Sequence, residues 1–298
     1  MFVMSTRRAQ LYLWIVAFAW GSSYLLDQMA IEAGMHSGMI NMLRGLFTVL
    51  TGVLFFRPAI RQMTKQDLKI GITIGVISFF GYYFQTAALM FTTPAKNAFL
   101  TSMYVVIAPF IIWAGYHQAP ERKEWIALVI AVIGTGVISN INPFNLTFQA
   151  GDLLSLVGAA FWAGQLVLFG KQANRASSPW IIIILIAAVE SVLGMLTVFT
   201  TEKATLSHIN WLLGLPPLAI IAMVITYIGQ GLQIISQKHT SATAAGLILM
   251  TESLFASLVS ILFGVDHLTM NLMIGGALLI LANLVMQLDL IHRHRIKS

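Results

Sequence analysis

Residues 179–200 read PWIIIILIAAVESVLGMLTVFT, an apolar run that contains a single ionisable side chain, Glu190. A membrane-spanning α-helix needs about 20 predominantly apolar residues to cross the hydrocarbon core of a bilayer. The run has this length, so it predicts a transmembrane helix. A charged side chain inside such a helix is costly and needs a partner or a water-filled cavity, which makes Glu190 a residue to explain.

Similar apolar runs fill most of the sequence on both sides of this one, and polar or proline-containing stretches separate them. We count ten, near residues 10–30, 38–56, 68–92, 95–116, 125–140, 152–170, 179–200, 212–236, 242–264 and 270–290. The sequence therefore predicts an all-α membrane protein with ten transmembrane helices. The 298 residues leave no room for a large soluble domain.

The composition excludes several other classes of protein. Hydrophobic residues make up 58% of the chain and charged residues only 9%, whereas soluble domains carry roughly 25% charged residues. The net charge of +6 does not indicate nucleic-acid binding, because the Lys and Arg residues lie between apolar runs and form no single basic face. The chain has no cysteine, which excludes disulfides, thiolate metal sites and cysteine nucleophiles.

The distribution of Lys and Arg predicts the orientation of the helices, since cytoplasmic loops carry the excess of positive charge. With the N-terminus in the cytoplasm and ten alternating spans, 14 of the 17 basic residues lie on the cytoplasmic side. Lys96 and Lys203 lie on the other side, and Arg44 lies within a helix. Both termini are therefore expected in the cytoplasm.

The two halves of the chain match each other at corresponding positions. At an offset of 148, Gly81 aligns with Gly229, Gln85 with Gln233, Thr93 with Ser241 and Ala108 with Ala256, and at an offset of 142 Trp20 aligns with Trp162. The matches indicate two repeats, residues 1–140 and 141–298. Because each repeat has an odd number of spans, the two are expected to lie inverted in the membrane, as in many secondary transporters with a site near the midplane.

Several short motifs occur in a fixed order along the chain. They are Trp20-Gly21-Ser22-Ser23, the single Arg44 of the second helix, TTPAKNAFLT over residues 92–101, Gly151-Asp152-Leu153-Leu154, and TSATAAGLILMTESLFAS over residues 240–257. In this order the chain resembles the drug/metabolite transporter superfamily, specifically the EamA-like ten-helix permeases. The resemblance implies transport of small metabolites, often export, by a multi-pass protein of the bacterial inner membrane.

Three charges are expected deep in the membrane: Arg44, Glu190 and Glu252. Arg44 and Glu190 occupy roughly equivalent places in the second and seventh helices, so the repeat symmetry brings them together as candidates for an ion pair. The alternative is that Arg44 faces a cavity and binds a substrate carboxylate. Glu252 has no obvious cationic partner in its half of the chain, which makes it a candidate to bind a proton or a substrate ammonium group.

Uncharged side chains complete the predicted site. Gln85 and Gln233 can donate and accept hydrogen bonds in a cavity, or join helices to each other. Five aromatic residues inside the predicted spans either pack in the core or form the wall of a substrate cavity. These are Trp20, Tyr82, Tyr83, Tyr104 and Trp162.

The sequence does not indicate an enzyme, and no cofactor or metal is expected. The seven histidines fall in loops or at helix ends, and the motifs of metalloproteases, serine hydrolases and nucleotide-hydrolysing proteins are missing from the sequence. We expect a secondary transporter for small metabolites such as amino acids or related zwitterions that works by alternating access. The resemblance implies that it exports them.

The expected partners are a small-molecule solute and the lipid bilayer, with a proton or another cation as the candidate coupling ion. No nucleic-acid partner is expected, and the sequence indicates no oligomeric state. Two alternatives stay open: a membrane scaffold or receptor with a transporter-like fold, and a membrane enzyme that acts on lipid-linked substrates.

Overall fold

The computed structural model describes residues 4–92, 94–142, 149–172, 175–264 and 267–295, with side chains apart from those of 94–96 and 287–295. Lys96 and the basic residues after 290, which enter the orientation prediction, therefore lie outside the described side chains. Within the described residues the regular structure is entirely helical. The α-helices are α1 (Thr6–Glu32), α2 (Ser37–Phe55), α3 (Arg57–Arg61), α4 (Lys65–Ala88), α5 (Pro94–Ser102), α6 (Tyr104–Tyr116), α7 (Arg122–Ile138), α8 (Ala150–Gln172), α9 (Pro179–Thr197), α10 (Trp211–Ile220), α11 (Thr226–Gln237), α12 (Ala242–Leu249), α13 (Glu252–Leu262) and α14 (Met270–Arg295).

Among the described residues, eight helical segments are long and apolar enough to cross a membrane. They are Thr6–Glu32, Ser37–Phe55, Lys65–Ala88, Asn97–Tyr116, Ala150–Gln172, Pro179–His208, Trp211–Gln237 and Ala242–Leu262. Two of the predicted spans correspond to shorter helices: α7 has 17 residues, and Met270–Met286 of α14 is a shorter apolar helix. The architecture is that of an all-α, multi-pass membrane protein.

Two spans that the sequence predicts as continuous, 95–116 and 242–264, are broken near their middle. α6 follows α5 after one non-helical residue, and α13 follows α12 after two. At the second break the hydroxyls of Thr251 and Ser253 donate to carbonyl oxygens three residues earlier, at 2.6 and 3.0 Å. Such side-chain bonds compete with the helical backbone pattern, and a pattern of apolar residues does not reveal them.

The helices pack in a small number of extensive pairs. α2 packs along α9, α7 packs along α14, and α4 packs against both α8 and α9. α1 packs against α10, α11 and both halves of the broken helix α12–α13, while α8 packs against α5 and α6. The largest cluster of buried apolar side chains joins α1, α6, α7, α8, α12 and α14, so the core lies around the two broken helices.

α2 and α9 approach so closely that their backbones touch. A Cβ atom added at Gly194 would lie 2.5 Å from the amide nitrogen of Met42 and 2.8 Å from the carbonyl oxygen of Gly38. On the other helix, a Cβ added at Gly45 would lie 2.6 Å from the amide nitrogen of Ser191. Glycine is required at these positions because any side chain would push the two helices apart.

This close approach brings Arg44 of α2 and Glu190 of α9 into contact. The Nη2 atom of Arg44 lies 3.4 Å from Oε2 of Glu190, and it donates to Oδ1 of Asn41 at 3.0 Å. Both charged side chains are only 3% exposed. A buried pair of this kind adds little net stability, but loss of one partner leaves a charge that nothing compensates.

Neutralising one partner of this pair should destabilise the protein more than neutralising both. Arg44→Gln leaves the Glu190 carboxylate unpaired and Glu190→Gln leaves the guanidinium unpaired, each at a cost of about 3–5 kcal/mol. The double variant has no charge at this seam and should recover a large part of the loss. Melting temperatures of the three purified variants in one detergent measure the effect, and a double variant less stable than both single variants would contradict the pairing.

Candidate functional site

A cavity lies where the two broken helices meet four of the continuous ones. It contains about 540 Å³ of space that no atom occupies. Its walls come from α1, α4, α5, α6, α8, α11 and α13. The lining residues are Trp20, Ser23, Tyr24, Asp27, Tyr82, Gln85, Thr101, Tyr104, Trp162, Gln165, Leu166, Gln233 and Glu252.

Most of the residues that the sequence predicts as a site are brought together here. Tyr82, Gln85, Tyr104, Trp162, Gln233 and Glu252 all line the cavity. They come from five different helices, so no single stretch of sequence forms the site. Arg44, Tyr83 and Glu190 are not among the lining residues.

Glu252 and Tyr104 occupy equivalent places, each at the first residue of the second half of a broken helix. α6 begins at Tyr104 and α13 begins at Glu252. The N-terminal end of a helix carries a partial positive charge, which favours negative groups in its first turn. The Tyr24 hydroxyl contacts the Glu252 carboxyl from the facing helix α1. The break therefore presents this carboxyl to the cavity.

Asp27 of α1 also lines the cavity, which corrects the expectation that Arg44, Glu190 and Glu252 are the only deep charges. Asp27 lies near the end of the apolar run 10–30, where a carboxylate would normally be solvated. α1 continues to Glu32, so Asp27 lies five residues inside the helix and one turn after Tyr24. The sequence signal that could have identified it is an acidic residue followed by another turn of helix-forming residues.

Three further carboxylates are buried for structural reasons at helix ends. Asp67 accepts from the Ser177 amide at 2.8 Å, just before α9 begins. Glu202 accepts from the Gly38 amide at 2.7 Å, in the first turn of α2. Asp152 accepts from a backbone amide at 2.7 Å in the first turn of α8. These groups satisfy helix N-termini, and we assign them no part in the site.

The polar groups of the cavity wall are only partly matched to each other. Trp162 Nε1 donates to Gln85 Oε1 at 2.7 Å, and Gln165 Nε2 donates to the Ser78 hydroxyl at 2.6 Å. In contrast, the Tyr104 hydroxyl and the Gln233 Oε1 atom are buried without a hydrogen-bond partner. Buried polar atoms are normally paired, so these two groups are available to a ligand.

Tyr82 separates the ion pair from the cavity. Its ring lies over the Arg44 guanidinium, with 3.3 Å between the guanidinium carbon and the ring centroid. Its other neighbour is Trp162, whose ring meets it edge-on at a centroid distance of 4.4 Å. A solute in the cavity therefore meets the aromatic ring of Tyr82 before it can reach Arg44.

Tyr83 lies on a different face of α4 from Tyr82. Its ring stacks on Phe79 at 5.7 Å and meets Phe84 at the same centroid distance. Successive residues of a helix point about 100° apart, so neighbours cannot both face one narrow cavity. The structure therefore does not bring Tyr83 to the cavity with the other predicted residues.

Two larger cavities lie on opposite sides of the central one. The second, which we call the vestibule, has about 1140 Å³ of empty space and shares Tyr24 with the central cavity. The third has about 850 Å³ and lies beside the ends of α6, α8 and α11. Lys238 borders the third cavity, and its partial burial lowers the pKa of its amine from the usual value.

The wall between the central and third cavities is tightly packed. Leu166 lines the central cavity, while Val167 lines the third. A Cβ atom added at Gly246 would lie 3.0 Å from a methyl group of Val105 and 3.2 Å from one of Leu166. Gln237 Nε2 donates to the Leu166 carbonyl oxygen at 3.0 Å. We call Leu166, Val105 and Gly246 the plug.

Comparisons with known proteins agree with this architecture. A family model described as the EamA-like transporter family matches residues 7–140 and 149–287. An uncharacterized transporter of Archaeoglobus fulgidus is 30% identical over 280 residues, which cover 94% of this chain and 86% of the relative. The uncharacterized transporter YwfM of Bacillus subtilis is 24% identical over 281 residues, which cover 92% of each chain.

A solved crystal structure aligns with this chain at 14% sequence identity and a TM-score of 0.74. The alignment covers 98% of this chain and 99% of the chain in that structure. At this identity the likeness concerns the fold alone. The family-model match and the archaeal relative each extend over most of the sequence, and the described helices have the length and apolarity of membrane spans. The chain therefore belongs to the EamA-like transporter family and is a multi-pass membrane transporter.

Proposed function

We propose that the protein is a secondary transporter that moves small metabolites, such as amino acids or related zwitterions, outward across the bacterial inner membrane by alternating access. The observation that carries this proposal is the central cavity. It adjoins the vestibule at Tyr24 and is shut off from the third cavity by the plug. A site next to one opening and closed to the other is what alternating access requires.

The proposed architecture is ten transmembrane helices in two inverted repeats, residues 1–140 and 141–298. The helix contacts support it, because they persist when the two halves are exchanged. α4 packs on α8 as α11 packs on α1, and α8 packs on α5 and α6 as α1 packs on α12 and α13. In the pairs α2–α9 and α7–α14, each helix packs on its own counterpart in the other half, so these contacts are unchanged when the halves are exchanged. The two matched ranges of the family model, 7–140 and 149–287, support the same division.

Local features near the cavity also recur at the repeat offsets. Met103 and Thr251, which lie at the two helix breaks, are 148 residues apart. A Cβ added at Gly81 would lie 3.1 Å from the Trp162 ring, and one added at Gly229 would lie 2.9 Å from Cδ1 of Trp20. Each tryptophan thus packs on a glycine of the other half, which supports a two-fold relation around the cavity.

The positive-inside distribution of Lys and Arg supports an orientation with both termini in the cytoplasm. α1 then runs from the cytoplasm outward, and its last residue, Glu32, borders the vestibule. The vestibule would face the outside and the third cavity, with Lys171 and Lys238, would face the cytoplasm. In this orientation the structure corresponds to the outward-facing state of the transport cycle.

The repeat relation describes the opposite state in terms of specific residues. At the offsets of 142 and 148, the counterparts of Leu166, Val105 and Gly246 are Tyr24, Ser253 and Ala98. All three counterparts line the vestibule. If the two repeats exchanged their conformations, Tyr24, Ser253 and Ala98 would pack together as an outer plug, and the plug of Leu166, Val105 and Gly246 would open.

The proposed roles follow from the contacts of each side chain. Glu252 binds a proton or a cationic group, since it faces the cavity at the start of α13. Arg44 acts through Tyr82, because its guanidinium is held by Glu190 and covered by the tyrosine ring. Gln85, Gln233 and the remaining aromatic residues bind the rest of the solute by hydrogen bonds and apolar contact.

Transport is favoured over the two alternatives. Relatives with 30% and 24% identity are named as transporters, whereas an enzyme acting on lipid-linked substrates would need a reactive cluster. A scaffold that binds no solute would have no need of buried polar groups that lack partners in a cavity, such as Tyr104 and Gln233, and a receptor is disfavoured because the relatives are named as transporters.

Replacement of Glu252 by Gln should abolish most of the transport and leave the fold intact, since the change removes a charge and keeps the size. A hydrogen bond to a charged group contributes about 1.5–3 kcal/mol. Because about 1.4 kcal/mol corresponds to a factor of ten, the transport rate should fall by about tenfold or more. Proteoliposomes given a mixture of amino acids, nucleobases and vitamins, with mass spectrometry of the solutes moved, provide the measurement.

The matched control is Glu121→Gln, the same change at a side chain that is 57% exposed at the start of α7. It should leave transport unchanged. Unchanged rates for both Glu252→Gln and Arg44→Gln would remove the assignment of the site to this cavity.

A disulfide between cysteines placed at 98 and 253 should trap the protein with the outer side closed. The chain has no cysteine, so Ala98→Cys with Ser253→Cys introduces a single possible bond between the vestibule walls. Oxidation should stop transport and a reductant should restore it. Both single-cysteine variants, oxidised in the same way, serve as controls. Full transport by the cross-linked protein would contradict the proposed outer plug.

A further inference from the structure

The charges around the central cavity do not balance. Three carboxylates lie in or beside it, those of Asp27, Glu190 and Glu252, and Arg44 is the cation among the described residues nearby. Glu190 pairs directly with Arg44, and Asp27 interacts with it at longer range. When all four groups are ionised, the chamber carries a surplus of two negative charges.

The surplus faces the space that a solute would occupy. Asp27 and Glu252 line the cavity, whereas Arg44 lies behind the Tyr82 ring and Glu190 behind Arg44. None of the described lining residues is Lys, Arg or His. A solute carboxylate would therefore be repelled by two carboxylates and would meet no cation among the described lining residues, whereas a solute cation would be attracted by both carboxylates.

Two unpartnered groups in the same wall point independently to a ligand. The Tyr104 hydroxyl and Gln233 Oε1 line the cavity without hydrogen-bond partners, in residues that are 5% and 1% exposed. A carbonyl oxygen can only accept a hydrogen bond, and a hydroxyl can accept as well as donate. An ammonium group has only donors, so it complements both atoms as well as the carboxylates.

The rest of the wall suits an apolar body attached to a cation. Five of the lining residues are aromatic: Trp20, Tyr24, Tyr82, Tyr104 and Trp162. The faces of such rings attract cations, and their surfaces bury apolar groups. Tyr82 already covers one cation, the Arg44 guanidinium, at 3.3 Å from its centroid.

We propose that the transported solute is a small organic cation, an amine with an apolar or aromatic body and no carboxylate, bound between Asp27 and Glu252. This proposal rests on the proposed transport function, and among small metabolites it favours amines over the zwitterions named there. Asp27 is then a specificity-determining residue, because it supplies the second carboxylate that opposes a solute carboxylate and attracts the ammonium group.

The experiment compares solutes that share a body and differ in charge. The purified full chain is mixed with 2-phenylethylamine, phenylalanine or 3-phenylpropionate, and with a second triplet of isopentylamine, leucine or 4-methylpentanoate. Ligand-dependent shifts of the melting temperature and uptake by proteoliposomes are measured. At least one amine should bind more tightly than both the amino acid and the acid of its triplet, with a Kd lower by a factor of about ten or more.

Three variants test the residues. Asp27→Asn and Glu252→Gln should each weaken binding of the preferred amine about tenfold or more. Asp27→Asn should also reduce the difference in affinity between this amine and the amino acid of the same triplet. Glu121→Gln, at an exposed side chain that does not line the central cavity, should change neither the binding of the amine nor its difference from the amino acid. Two isosteric variants are used so that a folding defect in one leaves the other to decide.

The outcomes separate this inference from the transport function on which it rests. Binding and uptake of an amino acid or an acid in preference to the corresponding amine would overturn the inference and would still support the proposed transport function. Uptake of a zwitterion whose dependence on pH changes in Asp27→Asn would assign the two carboxylates to proton coupling alone, which also overturns it. A panel in which nothing binds or moves would count against both.

Discussion

A charge inside a bilayer needs a partner, and this requirement organises the centre of the molecule. Arg44 meets it by pairing with Glu190 across the α2–α9 seam, where glycines let the two backbones touch. The pair is covered by Tyr82, whose ring forms part of the cavity wall. The helix seam, the ion pair and one wall of the cavity are therefore parts of one arrangement.

The remaining acids are arranged by helix ends. Asp67, Asp152 and Glu202 accept hydrogen bonds from backbone amides at the beginnings of helices, so they need no cation. Asp27 and Glu252 are different, because they face a cavity. Glu252 also lies at a helix end, the start of α13, but its side chain borders the cavity together with Asp27, so a solute can reach both carboxyl groups.

The sequence predicts the membrane spans well and their interruptions poorly. Apolar runs are a property of consecutive residues, and eight of the ten correspond, within the described part of the chain, to helices long enough to cross a membrane. The breaks near Met103 and Thr251 depend on local hydrogen bonds, which hydropathy does not record. The repeat offsets led to Gln85, Gln233 and Trp162 in the cavity wall. Asp27 was missed because α1 continues beyond its apolar run, and Tyr83 points away because neighbouring residues of a helix face different directions.

The broken helices have a mechanical consequence. Each break divides a span into two short rods, with α5 and α12 on one side and α6 and α13 on the other. At each break, bonds between residues three apart replace some of the usual bonds between residues four apart, such as those from the Met103 amide to the Leu100 carbonyl and from the Thr251 amide to the Ile248 carbonyl. The two rods of a span therefore meet at a short, tight turn. Such a turn sets the angle between the two rods of one span, so a change confined to the turn would re-orient one rod relative to the other.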